Sequence, residues 1–355
     1  MRALGISCES YISCFGSSSE KLHQMLFCRN AAANTGSSAD LSDMAESPVY
    51  NITDGFELSA RMLALTVYSS TEKFKAKFSS ADIESFGISA GCVFGSVKET
   101  EIADRKVNEK GLRGISVKNM LNSVPCGSSS KSAIVSCLRG ENVINCNGVT
   151  ASIDSLIYAS DRIERGICKG MAAGGTEENN LLVRLASSDL KNVTLSEGAG
   201  SVIIHDAACG ADCYMLGKGR SFSPENNYSS ALISAVSKAI KSIEDSDKKI
   251  DLVICGFNSD EESDNARLSA MEYCFVKTGV RCYSAKGIFG EVAGADGILA
   301  VIASMEILRS QKFPSDCINI GNVSECSEIK NILIADVDKC GLASCVILGK
   351  EIYYG

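Results

Sequence analysis

The chain has 355 residues, of which 45% are hydrophobic and 22% charged, and its net charge is −8. This length suits one large α/β unit or two fused halves, and the composition is ordinary for a globular core. The negative charge and dispersed Lys and Arg argue against nucleic acid or an anionic membrane as a partner. No apolar run approaches the ~18 residues of a membrane span, and the first residues lack a secretory signal, so we expect a cytoplasmic protein.

The seventeen cysteines stand mostly singly in apolar stretches, and the sequence has no Cys-x-x-Cys pair. Such cysteines are typical of small core residues in a reducing compartment, so we expect free thiols and no metal site. His23 and His205 are the two histidines. Neither stands in a motif, and we expect both to be structural.

In the first part of the chain, apolar runs alternate with helical patterns, which favours an α/β fold. The pattern predicts an opening strand over 2–8, a surface loop over 34–50 and a helix over 56–70. A buried strand ending in glycines is predicted over 87–95, followed by a charged, exposed segment over 97–113.

A helix is predicted over 149–164, where Ile153, Leu156 and Ile157 share one face, and a strand over 169–175. After a shift in composition at 206–212, strands and helices alternate again. The second series consists of strand 213–217, helix 228–244, strand 251–255, helix 294–309 and strands 331–336 and 343–348. We therefore expect two related halves, 1–208 and 209–355, packed as one body.

Four blocks share an order and spacing that is more specific than any one of them. They are Asp154–Gly166 with Met171–Glu178, Leu195–Ile204, Tyr283–Gly297 and Lys339–Leu348. Together they resemble the ketosynthase branch of the thiolase superfamily. The resemblance implies a thiolase-like α/β fold with the layers α-β-α-β-α.

A condensing ketosynthase needs a thiolate at a helix N-terminus and two imidazoles. The family's spacing places the nucleophile at Val149 and the two histidines at Gly256 and Glu291. Lys286 of the lysine–histidine loop is retained, and Lys339 stands near the position of a lost gatekeeping aromatic residue. Valine has no nucleophilic atom, so the resemblance implies a condensing site without its reactive groups.

Cys146, three residues before Val149, is the one nearby cysteine that could replace the nucleophile. A local shift of the motif would be needed, and the two histidine positions would stay empty. The simpler interpretation is a residue on the strand 142–146. An active thiolase-fold acyltransferase that uses Cys146 therefore remains an alternative.

Loss of all three chemical groups from a readable scaffold is typical of a subunit kept for its shape. The family contains such subunits: the chain length factors, or ketosynthase-β subunits, of type II polyketide synthases. Many of those for aromatic polyketides have Gln at the nucleophile position, where this chain has Val149. The product could therefore be an aryl polyene, and a homodimeric binding or scaffold protein is the alternative from another class.

As a chain length factor, the chain would bind a catalytic ketosynthase in a heterodimer, meet an acyl carrier protein transiently and need no cofactor. In this fold the strand before the nucleophile helix pairs with its counterpart across the dimer axis, with the segment 121–126 beside it. The implied interface and tunnel residues are Leu121, Asn122, Ser123, Val124, Pro125, Cys126, Val143, Ile144, Asn145 and Cys146.

Overall fold

The computed structural model describes residues 4–28, 38–188, 192–225, 227–243, 249–323 and 328–351. Its strands are β1 Leu4–Ile12, β2 Gly87–Gly91, β3 Asn142–Asn145, β4 Gly170–Glu177, β5 Gly198–Asp206, β6 Cys213–Phe222, β7 Leu252–Cys255, β8 Val280–Tyr283, β9 Ile318–Ile320, β10 Asn331–Val337 and β11 Leu342–Gly349. Its helices are α1 Ser19–Phe27, α2 Leu58–Lys77, α3 Val97–Lys110, α4 Val117–Asn122, α5 Gly127–Val135, α6 Ala151–Glu164, α7 Leu181–Ala186, α8 Tyr228–Lys241, α9 Glu261–Phe275, α10 Lys286–Phe289 and α11 Asp296–Ser310.

The strands form one hydrogen-bonded sheet in the order β3-β2-β4-β5-β1-β6-β11-β10-β7-β8-β9. The first five strands and the next five repeat one pattern. In each set one strand, β2 or β7, has parallel neighbours on both sides, and the remaining strands pair antiparallel. Strands β1 and β6 join the two sets. Within each set, parallel strands end at the same edge of the sheet. The carboxyl ends of β2 and β4, and those of β7 and β10, can therefore bring side chains together.

The helices lie in three layers around the two parts of the sheet. Helices α6 and α11 contact strands of both parts and form the middle layer. Helices α2 and α5 cover the outer face of the first part, and α8 and α9 cover that of the second. Helix α11 is buried over almost its whole length, as expected for a helix between two sheets. The predicted layers α-β-α-β-α are present.

Several predicted elements differ in extent from those observed. The opening strand continues to Ile12, and helix α2 continues to Lys77, seven residues beyond the prediction. The strand predicted over 87–95 ends at Gly91, because the backbone of Val93–Gly95 turns around a buried carboxylate instead of pairing. The charged segment 97–113 contains α3, which has no buried residue.

The predicted loop 34–50 lies partly outside the described residues, and its remainder includes a 3₁₀ turn at Ser42–Met44. The helix predicted over 228–244 is observed as α8, which ends at Lys241. Within the described ranges, none of the helices is both long enough and apolar enough to cross a membrane.

Candidate functional site

The turn between β3 and α6 carries Val149, the residue predicted to stand at the nucleophile position. Gly148, the preceding residue, has a φ of +74°, and a Cβ atom at Gly148 would overlap the Asp338 carboxylate. The backbone N–H of Val149 donates to Asp338 Oδ2 at 3.1 Å, and Cys340 N donates to Asp338 Oδ1 at 2.9 Å. The position therefore has neither a nucleophilic side chain nor a free backbone donor for a developing negative charge.

Gly256, at the first histidine position, directly follows β7 and faces β10. A Cβ atom at Gly256 would overlap the carboxylate of Asp336. The glycine is required by this close approach, because any larger residue would have to displace a buried carboxylate. Gly256 thus has no side chain because the Asp336 carboxylate occupies the space that a side chain would need.

Glu291, at the second histidine position, belongs to a buried group of charges around Lys286. The Lys286 ammonium lies 3.0 Å from Glu291 Oε2, 3.0 Å from Asp296 Oδ2 and 3.2 Å from Asp336 Oδ2. All four side chains are at most 7% exposed. We call these four residues the Lys286 cluster.

Two further polar side chains hold the cluster in place. Arg267 on α9 donates from Nε to Asp336 Oδ1 at 3.0 Å and also pairs with Asp264 at 3.2 Å. Asn258, in the loop after β7, donates from Nδ2 to Glu291 Oε2 at 2.9 Å. The carboxylates of Glu291 and Asp336 thus each have a second donor besides Lys286.

Protonation in the cluster follows from burial and neighbouring charge. Burial alone would lower the pKa of Lys286, but Asp296, Asp336 and Glu291 raise it. Burial opposes ionisation of Glu291 as well, yet Lys286 keeps the pKa of that carboxyl below its usual range. Burial and the Glu291 charge raise the pKa of Asp296 well above its ordinary value. Of these two carboxyls, Asp296 is therefore the one that binds a proton more readily, and it shares a hydrogen bond with Glu291.

Glu177, the last residue of β4, is a buried carboxyl of a different kind. Its oxygens accept backbone N–H groups of Val93 at 2.6 Å, Phe94 at 3.2 Å and Gly95 at 2.9 Å. Burial raises the pKa of Glu177 to about 7, although these backbone hydrogen bonds lower it. The turn after β2 is thereby fixed against the end of β4.

These groups surround a cavity of about 150 Å³ between the carboxyl ends of the two sets of strands. Its lining includes Val149 and Glu291, so the structure brings two of the three predicted positions to one cavity. Gly256 and Lys286 line a smaller neighbouring pocket, with Asp296 and Asp336. Further residues around the main cavity are Val93, Phe94, Glu177, Val183, Leu195, Ser196, Asn258, Ser263, Arg267, Asp338 and Lys339.

The chemistry available at this cavity is limited. Lys286 is committed to three carboxylates, and Lys339 at the cavity lies 3.9 Å from Asp260. His205 is buried among other contacts and bonds to Ser7, with its pKa lowered by burial to about 4. His23 pairs with Glu306. Neither histidine lines the cavity, and no metal-ligating group of three residues occurs in the described part of the chain.

The predicted interface residues lie on β3 and one residue beyond it, and on the end of α4 and its connection to α5. Strand β3 is the terminal strand of the sheet, and it pairs in parallel with β2. Val143, Ile144 and Asn145 are half-buried. In the segment 121–126, Asn122 is buried and Ser123 half-buried, whereas Leu121, Val124, Pro125 and Cys126 are exposed.

Cys146 lies one residue beyond the end of β3 and is exposed. It is not part of the cavity lining, so the structure does not bring it to Val149, Glu291 and Lys286. None of the sixteen cysteines that the structure describes takes part in a disulfide bond, and Cys326 lies outside the described residues.

Sequence reasoning missed most of the residues that fill the site. Arg267, Asp336 and Asp338 stood in no motif, and their partners are distant in sequence; Arg267 and Asp336 are 69 residues apart. Asp296 and Glu177 did lie inside two of the four blocks, beside glycines. An acidic residue within a glycine-rich block of small and apolar residues is the signal that could have identified both.

Comparison with known proteins gives structural relatives only. No model of a known protein family matches the sequence, and no curated protein matches it. The chain is similar to a solved structure of the ishigamide ketosynthase/chain length factor, with a TM-score of 0.80, 14% identity and full coverage of both chains. It is also similar to a chain of the ketosynthase ApeO in complex with its chain length factor ApeC from Xenorhabdus doucetiae. That match has a TM-score of 0.78 and 13% identity over 98% of each chain.

A third similar structure contains a type II polyketide synthase acyl carrier protein in complex with its ketosynthase, AntDE:AntF, bound to a hexaketide. Its TM-score is 0.77 at 14% identity, covering 98% of this chain and 99% of that one. These likenesses extend over the whole chain and confirm the predicted thiolase-like ketosynthase fold. At such low identity they establish the fold alone.

Proposed function

We propose that this chain is a non-catalytic chain length factor: a partner subunit that binds an active ketosynthase and shapes the tunnel for a growing polyketide chain. The Lys286 cluster carries the proposal. Where the resemblance puts the reacting groups, the chain has buried charges that neutralise one another. Such an arrangement preserves a shape and offers no nucleophile, general base or free cation.

The Asp338 carboxylate, which also lines the cavity, supports the same proposal. A ketosynthase acylates its nucleophile through an intermediate whose negative oxygen needs backbone donors. Here the Val149 N–H already donates to the Asp338 carboxylate. A substrate carbonyl at this position would have to displace an anion and would then lie beside it.

The terminal strand β3 supports the assembly part of the proposal. A bare edge strand presents unpaired N–H and C=O groups and is an aggregation liability. Helix α5 contacts β3, and Asn142 Nδ2 donates to Ser130 Oγ on that helix at 3.1 Å. Exposed apolar side chains are unusually frequent on α4, α5 and their connection. They are Val117, Met120, Leu121, Val124 and Ile134, each between 43% and 76% exposed.

A permanent partner would cover these side chains and complete the hydrogen bonding of β3. Stable interfaces of this kind typically bury more than about 2,000 Å². In this proposal the partner is a ketosynthase with an intact Cys-His-His set, and an acyl carrier protein delivers extender units mainly to that partner. The product is an aromatic polyketide or an aryl polyene, and the two halves are 1–208 and 209–355.

Co-expression with a ketosynthase encoded nearby tests the proposal. We expect a 1:1 complex on size-exclusion chromatography. Val143→Lys should weaken it at least about 100-fold, because burying an unpaired charge costs about 3–5 kcal/mol. The matched control is Ile318→Lys on β9, the opposite terminal strand, where Ile318 is 47% exposed. That variant should leave the complex intact. A chain that stays monomeric with every such ketosynthase, or loses the complex equally in both variants, contradicts the proposal.

Ile144 is a poorer test position than Val143. Its side chain packs against the core group that includes Phe74 and Ile88. A lysine there would also destabilise the fold, so loss of a complex could have two causes.

The tunnel part of the proposal needs a separate readout. In this role the segment 121–126 borders the partner's tunnel, so Ser123→Phe should shorten the product while the complex persists. Product mass from the reconstituted system, measured beside the elution volume, distinguishes the two effects. An unchanged product length from an intact complex would exclude this segment as a tunnel wall.

The two alternatives make different predictions with the same protein. An acyltransferase that uses Cys146 would form a thioester detectable by intact mass after incubation with an acyl donor, whereas we expect none. A homodimeric scaffold would elute as a dimer without any ketosynthase. Thioester on Cys146 or a stable homodimer would each replace our proposal.

A further inference from the structure

Two cysteine thiols meet at the carboxyl ends of β2 and β3. The last register pair of these parallel strands is Gly91 and Asn145. Cys92 and Cys146 follow directly, and Cys92 N donates to Asn145 O at 3.0 Å, which continues the ladder by one residue. Their sulfur atoms lie 3.9 Å apart and share a hydrogen bond. The backbone of two neighbouring strands therefore holds the two thiols side by side.

The two thiols differ in exposure and in ionisation. Cys92 is fully buried, whereas Cys146 is exposed. The hydrogen bond from Cys92 lowers the pKa of Cys146 to about 7, although partial burial opposes this. The same hydrogen bond, burial and the Glu177 charge raise the pKa of Cys92. The thiol that solvent reaches is thus the one with the lowered pKa, and the protected thiol is the hydrogen-bond donor once Cys146 is ionised.

We propose that Cys92 and Cys146 form a redox-active dithiol, in which Cys146 reacts with a peroxide and Cys92 then closes a disulfide. Neither thiol lines the cavity, but Cys146 is one of the predicted interface residues, so the reaction is proposed for the chain that is not bound to a partner. Low-pKa, accessible cysteines beside a second thiol are the usual sites of reversible oxidation in reducing compartments.

The reaction balances with hydrogen peroxide as the oxidant. The Cys146 thiolate attacks one peroxide oxygen, the O–O bond breaks, and the products are Cys146 sulfenic acid and hydroxide. The Cys92 sulfur then attacks the sulfenic sulfur, and the S–O bond breaks with loss of water after the Cys92 proton is transferred. Two thiols are oxidised, one peroxide is reduced, and the chain loses two hydrogens. A small thiol reductant reverses the step through a mixed disulfide.

The geometry permits bond formation without rearranging the strands. Adjacent strands lie about 4.8 Å apart, which falls within the Cα separations of about 4.4–6.8 Å that disulfides span. The sulfur atoms must close from 3.9 Å to about 2.05 Å, which side-chain rotation and a small shift at the strand ends supply. Cys92 lies next to Val93, whose N–H binds Glu177. The disulfide would therefore join the free end of β3 to a turn that is already fixed.

Peptide mapping of the full-length chain tests the proposal. The reduced chain is treated with hydrogen peroxide, alkylated under denaturing, non-reducing conditions and digested. Before oxidation all seventeen cysteines should be labelled. Afterwards we expect two fewer labels, a linked pair of peptides containing residues 92 and 146, a mass loss of about 2 Da and full reversal by dithiothreitol.

Three variants separate this reaction from general oxidation. In Cys92→Ser, Cys146 should accumulate as the sulfenic acid and react with dimedone. In Cys146→Ser, Cys92 should keep its label. The control Cys209→Ser, at another exposed cysteine, should form the 92–146 link as the unaltered chain does.

Three outcomes would overturn the proposal, and each can be read on the unaltered chain even if a variant fails to fold. Both cysteines could remain labelled after peroxide treatment. Cys146 could stop at the sulfenic or sulfinic acid while Cys92 keeps its label. Cys146 could instead form a disulfide between two molecules, which non-reducing electrophoresis would detect.

Discussion

Glu177 and Asp336 are buried carboxyls at corresponding places in the two repeated sets of strands. Glu177 ends β4 and Asp336 lies one residue from the end of β10; β4 pairs in parallel with β2, and β10 with β7. Their surroundings differ. Glu177 has backbone N–H donors, whereas Asp336 has Arg267 and Lys286 as cationic neighbours.

The pKa values of the two carboxyls move in opposite directions. Burial raises the pKa of Glu177 to about 7. Asp336 experiences the same burial, but Arg267 and Lys286 hold its pKa below the ordinary value. Neutral dipoles can satisfy a buried carboxyl, but a counter-charge is needed to keep it firmly ionised. The second set of strands thus carries an ionic centre where the first set has a proton-binding one.

Removing the cation should have the largest effect on this contrast. Lys286→Met leaves the carboxyls of Glu291, Asp296 and Asp336 buried without their shared ammonium. We expect the free energy of unfolding to fall by about 3–5 kcal/mol in urea denaturation. The control Lys75→Met breaks an exposed pair with Glu72 and should cost less than about 1 kcal/mol. Equal losses in the two variants would show that the cluster contributes no more than a surface pair.

Adding a methyl group beside Asp336 should have the next largest effect. A Cβ at Gly256 would overlap the Asp336 carboxylate, so Gly256→Ala should displace it from Arg267 and Lys286. We expect a loss of stability near the upper end of the usual overpacking range, about 3 kcal/mol, by thermal or urea denaturation. Gly287→Ala is the matched control, because a Cβ there meets nothing within 4 Å. A cluster that accommodates Gly256→Ala without loss would contradict the close approach of Gly256 and Asp336.

The smallest expected effect is a change in pH dependence. The pKa of Glu177 rises from 4.5 to about 7 on folding, so its stabilising contribution is complete below about pH 4.5 and is lost as pH rises through 7. As the pH rises from about 5 to 7.5, the free energy of unfolding of the unaltered chain should fall by about 2 kcal/mol relative to that of Glu177→Gln, measured by urea denaturation.

Asp336→Asn provides the opposite control for the pH experiment. The pKa of Asp336 is lowered on folding, so this carboxyl is ionised in both states over the same pH range. Asp336→Asn should lower the free energy of unfolding by the same amount at every pH in this range, so the slope of that free energy against pH should not change. If both variants altered the slope equally, the two carboxyls would not differ as the structure indicates.

The sequence predicted the fold because its signals are local. Apolar periodicity placed the helix over 149–164 and the strand over 331–336 to within a few residues of α6 and β10. The thiolase-like layers followed from the order of four motif blocks. Strand 87–95 was overextended because the turn at Val93–Gly95 depends on Glu177, which is more than 80 residues away.

The site was only half predictable for the same reason. The prediction that Val149, Gly256 and Glu291 replace reactive groups could be made one position at a time. What replaces it depends on pairs such as Lys286 with Asp336 and Val149 with Asp338, which only the folded chain brings together. The Cys92–Cys146 contact is of this kind, since the two residues are 54 positions apart.

The contact between Gly256 and Asp336 also limits how this protein can change over evolutionary time. Any substitution that adds a side chain at Gly256 requires a simultaneous change at Asp336. Replacing Asp336 first would leave the positive charges of Arg267 and Lys286 without this carboxylate partner. The two sites are therefore strongly epistatic, and every single-step mutational path toward an imidazole at Gly256 passes through a less stable intermediate. Folding stability alone therefore favours keeping the present residues at both positions.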